Sequence, residues 1–264
     1  MTASNRDNDF KQLLGAAEEI ARLGGESTLE MFRTSVEAEY KEDETPVTEA
    51  DRRAEELIRR EIRKRFPGHG IIGEEYGSDG EDRDIVWVVD PIDGTRSFVH
   101  GIPLYTTLVA VLVEGESEVG VICAPALDEM VSAATGLGCH WNGRPCRVRS
   151  CNDLAKATFL TTDIENVWEY GHKGAFEALL SRTRLHRTWG DAYGHMMVAT
   201  GRADLMFDPV LSIWDAAALK PVVMEAGGLY TDTRGKSSVN SEEALSCVPG
   251  IHQEVIELFN QNRS

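Results

Sequence analysis

Apolar residues recur at helical spacing through residues 9–33, at Leu13, Leu14, Ala17, Ile20, Ala21 and Leu23, and predict an amphipathic helix there. Residues 37–45 are charged and poor in apolar side chains, so a surface loop containing Lys41 is expected next. Pro46-Val47-Thr48-Glu49-Ala50-Asp51 then opens a second helix that runs to about Phe66. Thr48 and Asp51 stand at capping-box spacing, and Pro67-Gly68 supplies the stop. Short apolar runs follow at 70–73, 85–89, 106–113, 118–122 and 129–134, and each predicts a strand. Glu114-Gly115-Glu116-Ser117 reads as a hairpin turn between two of them. Turn residues cluster at 142–155, and the pattern beyond them changes. Strands are expected at 158–161, 204–207 and 228–231, and helices at 173–182, 191–201 and 213–226. That alternation predicts an α/β protein in two layered halves, 1–148 and 149–264.

Composition narrows the function. The formal net charge is −17 with no long Lys/Arg run, which argues against a nucleic-acid backbone or an anionic membrane as partner. A small anionic substrate stays admissible, because bound cations reverse the local sign. The longest apolar runs are too short for a membrane span, and the first residues lack the apolar core of a signal peptide. Five cysteines form no Cys-x-x-Cys pair, so reduced thiols and a cytoplasmic location are expected.

The richest stretch is Trp87-Val88-Val89-Asp90-Pro91-Ile92-Asp93-Gly94-Thr95-Arg96-Ser97-Phe98. A buried strand delivers Asp90 and Asp93 into a turn marked by Pro91 and Gly94, and a helix is expected to begin at Gly94-Thr95. Carboxylates suit a hard divalent cation, and free N–H groups at a helix start suit an anion. A site that offers both suits a phosphate ester and a metal. Phosphate monoesters hydrolyse very slowly in water, and a pair of cations about 4 Å apart can stabilise both the attacking and the departing oxygen.

Two further acidic motifs accompany it: Gly73-Glu74-Glu75-Tyr76-Gly77, and Ile213-Trp214-Asp215-Ala216-Ala217 followed by Glu225-Ala226-Gly227-Gly228. Taken singly, they read as a solvated turn and a helix cap. In this order and spacing, with Asp90-Pro91-Ile92-Asp93-Gly94-Thr95 between them, the chain resembles the inositol monophosphatase-like, lithium-sensitive phosphatases over nearly its whole length. The resemblance implies a five-layer αβαβα sandwich and a homodimer. It implies that Glu74, Asp90 and the Ile92 carbonyl ligate one Mg²⁺, and that Asp90, Asp93 and Asp215 ligate a second. A third, looser ion would lean on Glu74. Gly94 and Thr95 would hold the phosphate, and Thr95 with Glu74 would orient the attacking water, so Glu74, Asp93 and Thr95 are the expected catalytic residues. Asp51 is either a helix-capping carboxylate or an accessory to the water, and Glu75 is either accessory or merely exposed.

Within that superfamily, Trp189-Gly190-Asp191-Ala192-Tyr193-Gly194-His195 and Arg96-Ser97-Phe98-Val99 resemble the histidinol-phosphate phosphatase branch. Histidinol carries an ammonium group, which carboxylates at Asp191 and Asp208 could pair. The competing reading of Asp191 is a helix N-cap. Asp208 stands where inositol phosphatases usually carry the longer Glu, and His195 reads as helix packing. The expected enzyme is therefore a Mg²⁺-dependent histidinol-phosphate phosphatase. An inositol-1-phosphate or broad sugar-phosphate phosphatase is the alternative, and a non-catalytic regulatory homologue a distant one.

Overall fold

The computed structural model describes residues 3–34, 39–40 and 46–262. Most of the expected loop at 37–45, Lys41 included, lies outside the described residues. Helix α1 (Ala3–Leu29) opens before the predicted start and closes before the predicted end. Its apolar stripe stops at Leu23, and the Thr28 hydroxyl bonds back to the Gly25 carbonyl at 2.7 Å as the chain leaves the helix. Strands β1 (Glu39–Tyr40) and β2 (Pro46–Val47) form a short antiparallel ladder. Helix α2 (Glu49–Arg65) begins with the expected capping box between Thr48 and Asp51.

There follow β3 (Gly70–Gly73), β4 (Gly77–Asp79), β5 (Ile85–Asp93), α3 (Thr95–Val99), β6 (Thr106–Val113), β7 (Glu116–Ala124), β8 (Glu129–Ala134), β9 (Gly138–Trp141) and β10 (Arg144–Cys146). Their eight-stranded sheet runs β10-β9-β8-β7-β6-β5-β3-β4, antiparallel throughout except for the β3–β5 pair. The second half supplies β11 (Thr158–Thr161), α4 (Ile164–Glu169), α5 (Lys173–Arg182), β12 (Leu185–Arg187), α6 (Asp191–Ala199), β13 (Leu205–Asp208), α7 (Ile213–Glu225), β14 (Leu229–Thr231), β15 (Ala244–Cys247) and α8 (Pro249–Gln261). Here the sheet order is β12-β11-β13-β15-β14.

Strand alternation sets the layers. In β5, Trp87 and Val89 face α1 and α2, whereas Val86 and Val88 face α6 and α7. In β13, Met206 joins that same middle layer, whereas Leu205 and Phe207 pack toward α5 and α8. The result is the layering α1α2, sheet, α6α7, sheet, α5α8. Helix α7 is apolar nearly all round because it is buried between two sheets. Ser117 of β7 fastens it by donating to the Ala217 carbonyl at 2.6 Å. Each Val or Leu so buried contributes about 1.5–3 kcal/mol relative to an exposed position.

Strands β1, β2, β4, β9, β10, β12 and β15 and helices α4 and α8 are not among the expected elements; β1 falls in the expected loop and β2 where the second helix was expected to open. The β9–β10 hairpin turns at Asn142-Gly143 within the stretch read as a break in pattern. Its strands are too short to show alternation. Helix α8 starts with Pro249 in its first turn and buries Ile251, Val255, Leu258 and Phe259.

Candidate active site

Asp90 and Asp93 are an odd number of positions apart, and on a regular strand they would point to opposite faces. The register of β5 against β6 slips between them: Asp90 lies opposite Leu108 and Asp93 opposite Thr106. One extra residue on β5 re-aims the second carboxylate toward the first, as bulges near strand ends do. The Thr107 hydroxyl secures the bulge by donating to the Pro91 carbonyl at 2.8 Å, and Asp90 Oδ1 accepts from the Ile92 amide at 3.0 Å.

Asp215 arrives from the other half of the chain, in the first turn of α7. There its Oδ2 accepts from the Ser212 amide at 2.7 Å. The N-cap of α7 is Ser212, and Asp215 is the third residue of its capping box, so it is not itself the cap expected from sequence. Oxygen atoms from Asp90, Asp93 and Asp215 lie within 4.8 Å of one another. Glu74, just past β3, joins them through a hydrogen bond with Asp90. Its amide continues the strand pairing by donating to the Val89 carbonyl at 3.3 Å.

The cluster is charged against itself. Burial, reinforced by Glu74, Asp93 and Asp215, pushes the Asp90 carboxyl well above the usual carboxylate range. Burial and the Asp93 charge push Asp215 up to about 8. Asp93 is raised by burial to about 6, although the Ala192 amide at 2.7 Å and the Thr106 hydroxyl at 3.0 Å both donate to its Oδ2. Carboxylates this close, one buried and two partly buried, and hydrogen-bonded on their outer edges, form a donor set for a hard divalent cation. They fit Mg²⁺ or a similar ion, and a bound ion would reverse each of these upward shifts.

Gly94 sits at the start of α3 with φ +82, a backbone region that L side chains seldom enter. A β-carbon there would also meet Asp191 Oδ2 at 2.9 Å. Thr95 follows, its hydroxyl 3.0 Å from the Ile92 carbonyl and 3.3 Å from Asp51 Oδ1. Asp51 divides its two oxygens. Oδ2 accepts from the Thr48 amide at 2.8 Å and the Thr48 hydroxyl at 2.6 Å, whereas Oδ1 faces Thr95. Burial raises its carboxyl to about 6. Capping and proximity to the site are therefore simultaneous at this residue.

Asp191 does not cap α6. The N-cap is Gly190, and Asp191 occupies the first helical position with φ +52. Its amide donates to the Thr162 hydroxyl at 2.7 Å, and its carboxylate lies against Gly94. Burial and the charges of Asp93, Asp208 and Asp215 push that carboxyl well up. Asp208, at the end of β13, is buried, with Oδ1 accepting from the Thr162 amide at 3.2 Å and Oδ2 3.2 Å from His195 Nε2. His195 is fully buried, its Nδ1 2.6 Å from the Ser246 hydroxyl. Asp208 thus reaches Asp191 through Thr162.

Glu75 exposes its side chain partially, while its amide donates to Glu55 Oε2 at 2.7 Å. Glu55 is absent from the residues singled out by sequence, yet it organises the whole Glu74–Glu75 turn. It is fully buried, accepts also from the Tyr76 amide at 3.2 Å, and is paired with Arg59 Nε at 2.7 Å. Arg59 in turn donates to the Gly77 carbonyl. A β-carbon at Gly73 would fall 2.1 Å from Glu55 Oε1, so only glycine admits this carboxylate. The available signal was a carboxylate in the buried stripe Asp51, Glu55, Ile58, Ile62 of an otherwise ordinary amphipathic helix.

Comparison with known proteins follows the same lines. The sequence profile of the inositol monophosphatase family matches residues 9–264. A histidinol-phosphatase of Chlorobaculum parvum is 44% identical over 88% of this chain and 90% of its own length. A histidinol-phosphatase of Mycobacterium tuberculosis is 36% identical over 83% of this chain and 86% of its own length. The solved structure of an inositol monophosphatase from Zymomonas mobilis superposes with a TM-score of 0.85 at 29% identity, covering 95% of this chain and 98% of that one.

Proposed function

The chain belongs to the inositol monophosphatase family, and from that membership we infer that it is a magnesium-dependent phosphate monoester hydrolase acting on histidinol phosphate. The convergence of Asp90, Asp93 and Asp215 within 4.8 Å is the observation that carries the reaction. In this reading, residues 1–148 supply most metal ligands, and residues 149–264 supply the last aspartate and the alcohol side of the pocket.

Glu74, Asp90, Asp93, Asp215 and the Ile92 carbonyl would hold two Mg²⁺ ions, with a third more loosely at Glu74. Magnesium bound there supplies charge stabilisation to the phosphoryl group and lowers the pKa of water. The chain's own residues do the positioning. The Gly94 and Thr95 amides face the phosphate. The Thr95 hydroxyl orients the attacking water, and Asp51, held at about 6 behind it, accepts from that hydroxyl. Water attacks phosphorus in line, the alcohol leaves, and no phosphoenzyme forms.

Asp191 favours histidinol over a neutral polyol. Its carboxylate flanks Gly94, and it suits the ammonium group of the departing amino alcohol. Asp208 supports it from behind through Thr162. An inositol-1-phosphate or broad sugar-phosphate activity is the second reading, because the same metal cluster serves either ester. We further propose a cytoplasmic homodimer. No helix among the described residues is long and apolar enough to cross a membrane.

Phosphate release with Mg²⁺, with and without chelator, tests the reading on histidinol phosphate, inositol 1-phosphate, fructose 1,6-bisphosphate and 3′-phosphoadenosine 5′-phosphate. A kcat/KM for histidinol phosphate at least about tenfold above the others, roughly 1.4 kcal/mol of discrimination, supports it. A flat profile or an inositol preference removes the substrate assignment and leaves the metal chemistry. Release that persists in chelator removes both.

A further inference from the structure

The β9–β10 hairpin carries two cysteines that phosphate chemistry does not use. Cys139 and Cys146 are directly opposed across the ladder, and their Sγ atoms lie 3.5 Å apart. Opposed residues of antiparallel strands have Cα atoms about 4.5 or 5.5 Å apart, and both spacings fall within the roughly 4.4–6.8 Å that a disulfide spans. Closing the bond therefore takes side-chain movement and no change of register.

The thiols differ in access and in acidity. Cys139 is buried in the core between the sheets, and Cys146 is half-buried at its edge. The hydrogen bond between them, helped by the Arg202 guanidinium, holds Cys146 below the usual thiol range, while the same contact and burial push Cys139 up. Arg202 is itself fixed, stacked over Trp141 at 4.6 Å and donating to the Tyr193 hydroxyl at 3.1 Å. A partly exposed thiol of lowered pKa beside a second thiol is the arrangement that favours disulfide closure over further oxidation.

We propose that Cys139 and Cys146 form a redox site that a peroxide converts reversibly to a disulfide within the hairpin. The Cys146 thiol attacks hydrogen peroxide, takes up one oxygen as a sulfenic acid and releases water. The Cys139 thiol then attacks the sulfenic sulfur, the S–S bond forms, the S–O bond breaks, and a second water leaves. Two thiols lose two electrons and two protons, and one peroxide becomes two waters.

The hairpin is tied to both helices that bring the second half to the phosphate site. Glu225 at the end of α7 accepts from the Gly138 amide of β9 at 2.8 Å, and Trp141 of β9 packs against Arg202, which reaches Tyr193 on α6. Oxidation would fasten the hairpin under those helices.

The full-length protein, reduced and then treated with a small molar excess of hydrogen peroxide, gives the test. Thiol titration in denaturant should fall from five thiols to three, and the intact mass should fall by two hydrogens. Chymotryptic cleavage after Trp141 separates the two cysteines, so their peptides should stay joined until a dithiol reductant is added. Cys146→Ser, at a half-buried position, should abolish the joined peptides, and the wild-type map stands without it. Oxygen added to Cys146 with Cys139 still free, a bridge between other cysteines, or five thiols remaining after peroxide would each overturn the proposal.

Discussion

The Ala192 amide donates to Asp93 Oδ2 at 2.7 Å, a bond that joins the two halves of the chain. Asp93 comes from the bulged end of the first sheet, and Ala192 from the first turn of α6. One bond therefore links the carboxylate cluster to the helix that carries Asp191. The Asp191 side and the carboxylate cluster are tied together at this point.

Asp93→Asn removes one charge from the cluster and keeps an oxygen that can accept from Ala192. Turnover is expected to fall by at least about a hundredfold, as when a main electrostatic partner of the transition state is lost. Circular dichroism should be unchanged, and the thermal midpoint in chelator should stay level or rise, because a buried like charge has gone. Normal phosphate release in this variant would remove Asp93 from the metal site.

The raised carboxyl values give stability a definite sign with pH. Asp215 and Asp93 titrate at about 8 and about 6 in the folded chain, above their unfolded values. The stability they contribute is complete below the unfolded value of about 4 and is lost as pH rises through about 6 and then about 8. Magnesium competes with those protons, so the gap in thermal midpoint between magnesium-loaded and chelated protein should widen from about pH 5 to about pH 8.5. A constant gap across that window would contradict the assignment.

Asp191→Asn keeps a side chain that tolerates φ +52 and removes only the charge. The kcat/KM for histidinol phosphate should fall at least about tenfold more than that for inositol 1-phosphate, the worth of one charge-assisted contact. Equal losses for the two esters would make Asp191 a structural residue.

Glu55→Gln retains an acceptor for the Glu75 amide but leaves buried Arg59 without its counter-charge. A stability loss of about 3 kcal/mol is expected from denaturant unfolding. Because Glu55 sets the turn that aims Glu74, magnesium affinity by calorimetry should also weaken about tenfold or more, with KM for the ester little changed. A stability loss with unaltered magnesium binding would confine Glu55 to folding.

Much of this is legible in the sequence. The carboxylates that converge come from short motifs that the sequence already sets apart, and the apolar runs 106–113 and 129–134 became β6 and β8 with the same bounds. The hidden parts rest on long-range geometry. The one local sign of Glu55 is its place in the apolar stripe of α2, and that does not say what it binds. Its meaning comes from the absence of a side chain at Gly73, on a strand of the adjoining sheet. Asp208 looked like a pocket carboxylate, but its oxygens are engaged by His195 and the Thr162 amide, partners 13 and 46 residues away. The bulge at Asp90–Asp93 was likewise invisible, because register belongs to a pair of strands and not to one.

The middle layer has a bearing on how this chain comes apart. Val86, Val88 and Leu108 of the first sheet share one apolar cluster with Met196, Met206 and Val222 of the second half. Severing the chain after residue 148 would strip that face of the first sheet and leave its two remaining aspartates beside exposed valines. The two halves should therefore melt in a single calorimetric transition, and neither, expressed alone, should retain a magnesium-responsive fold.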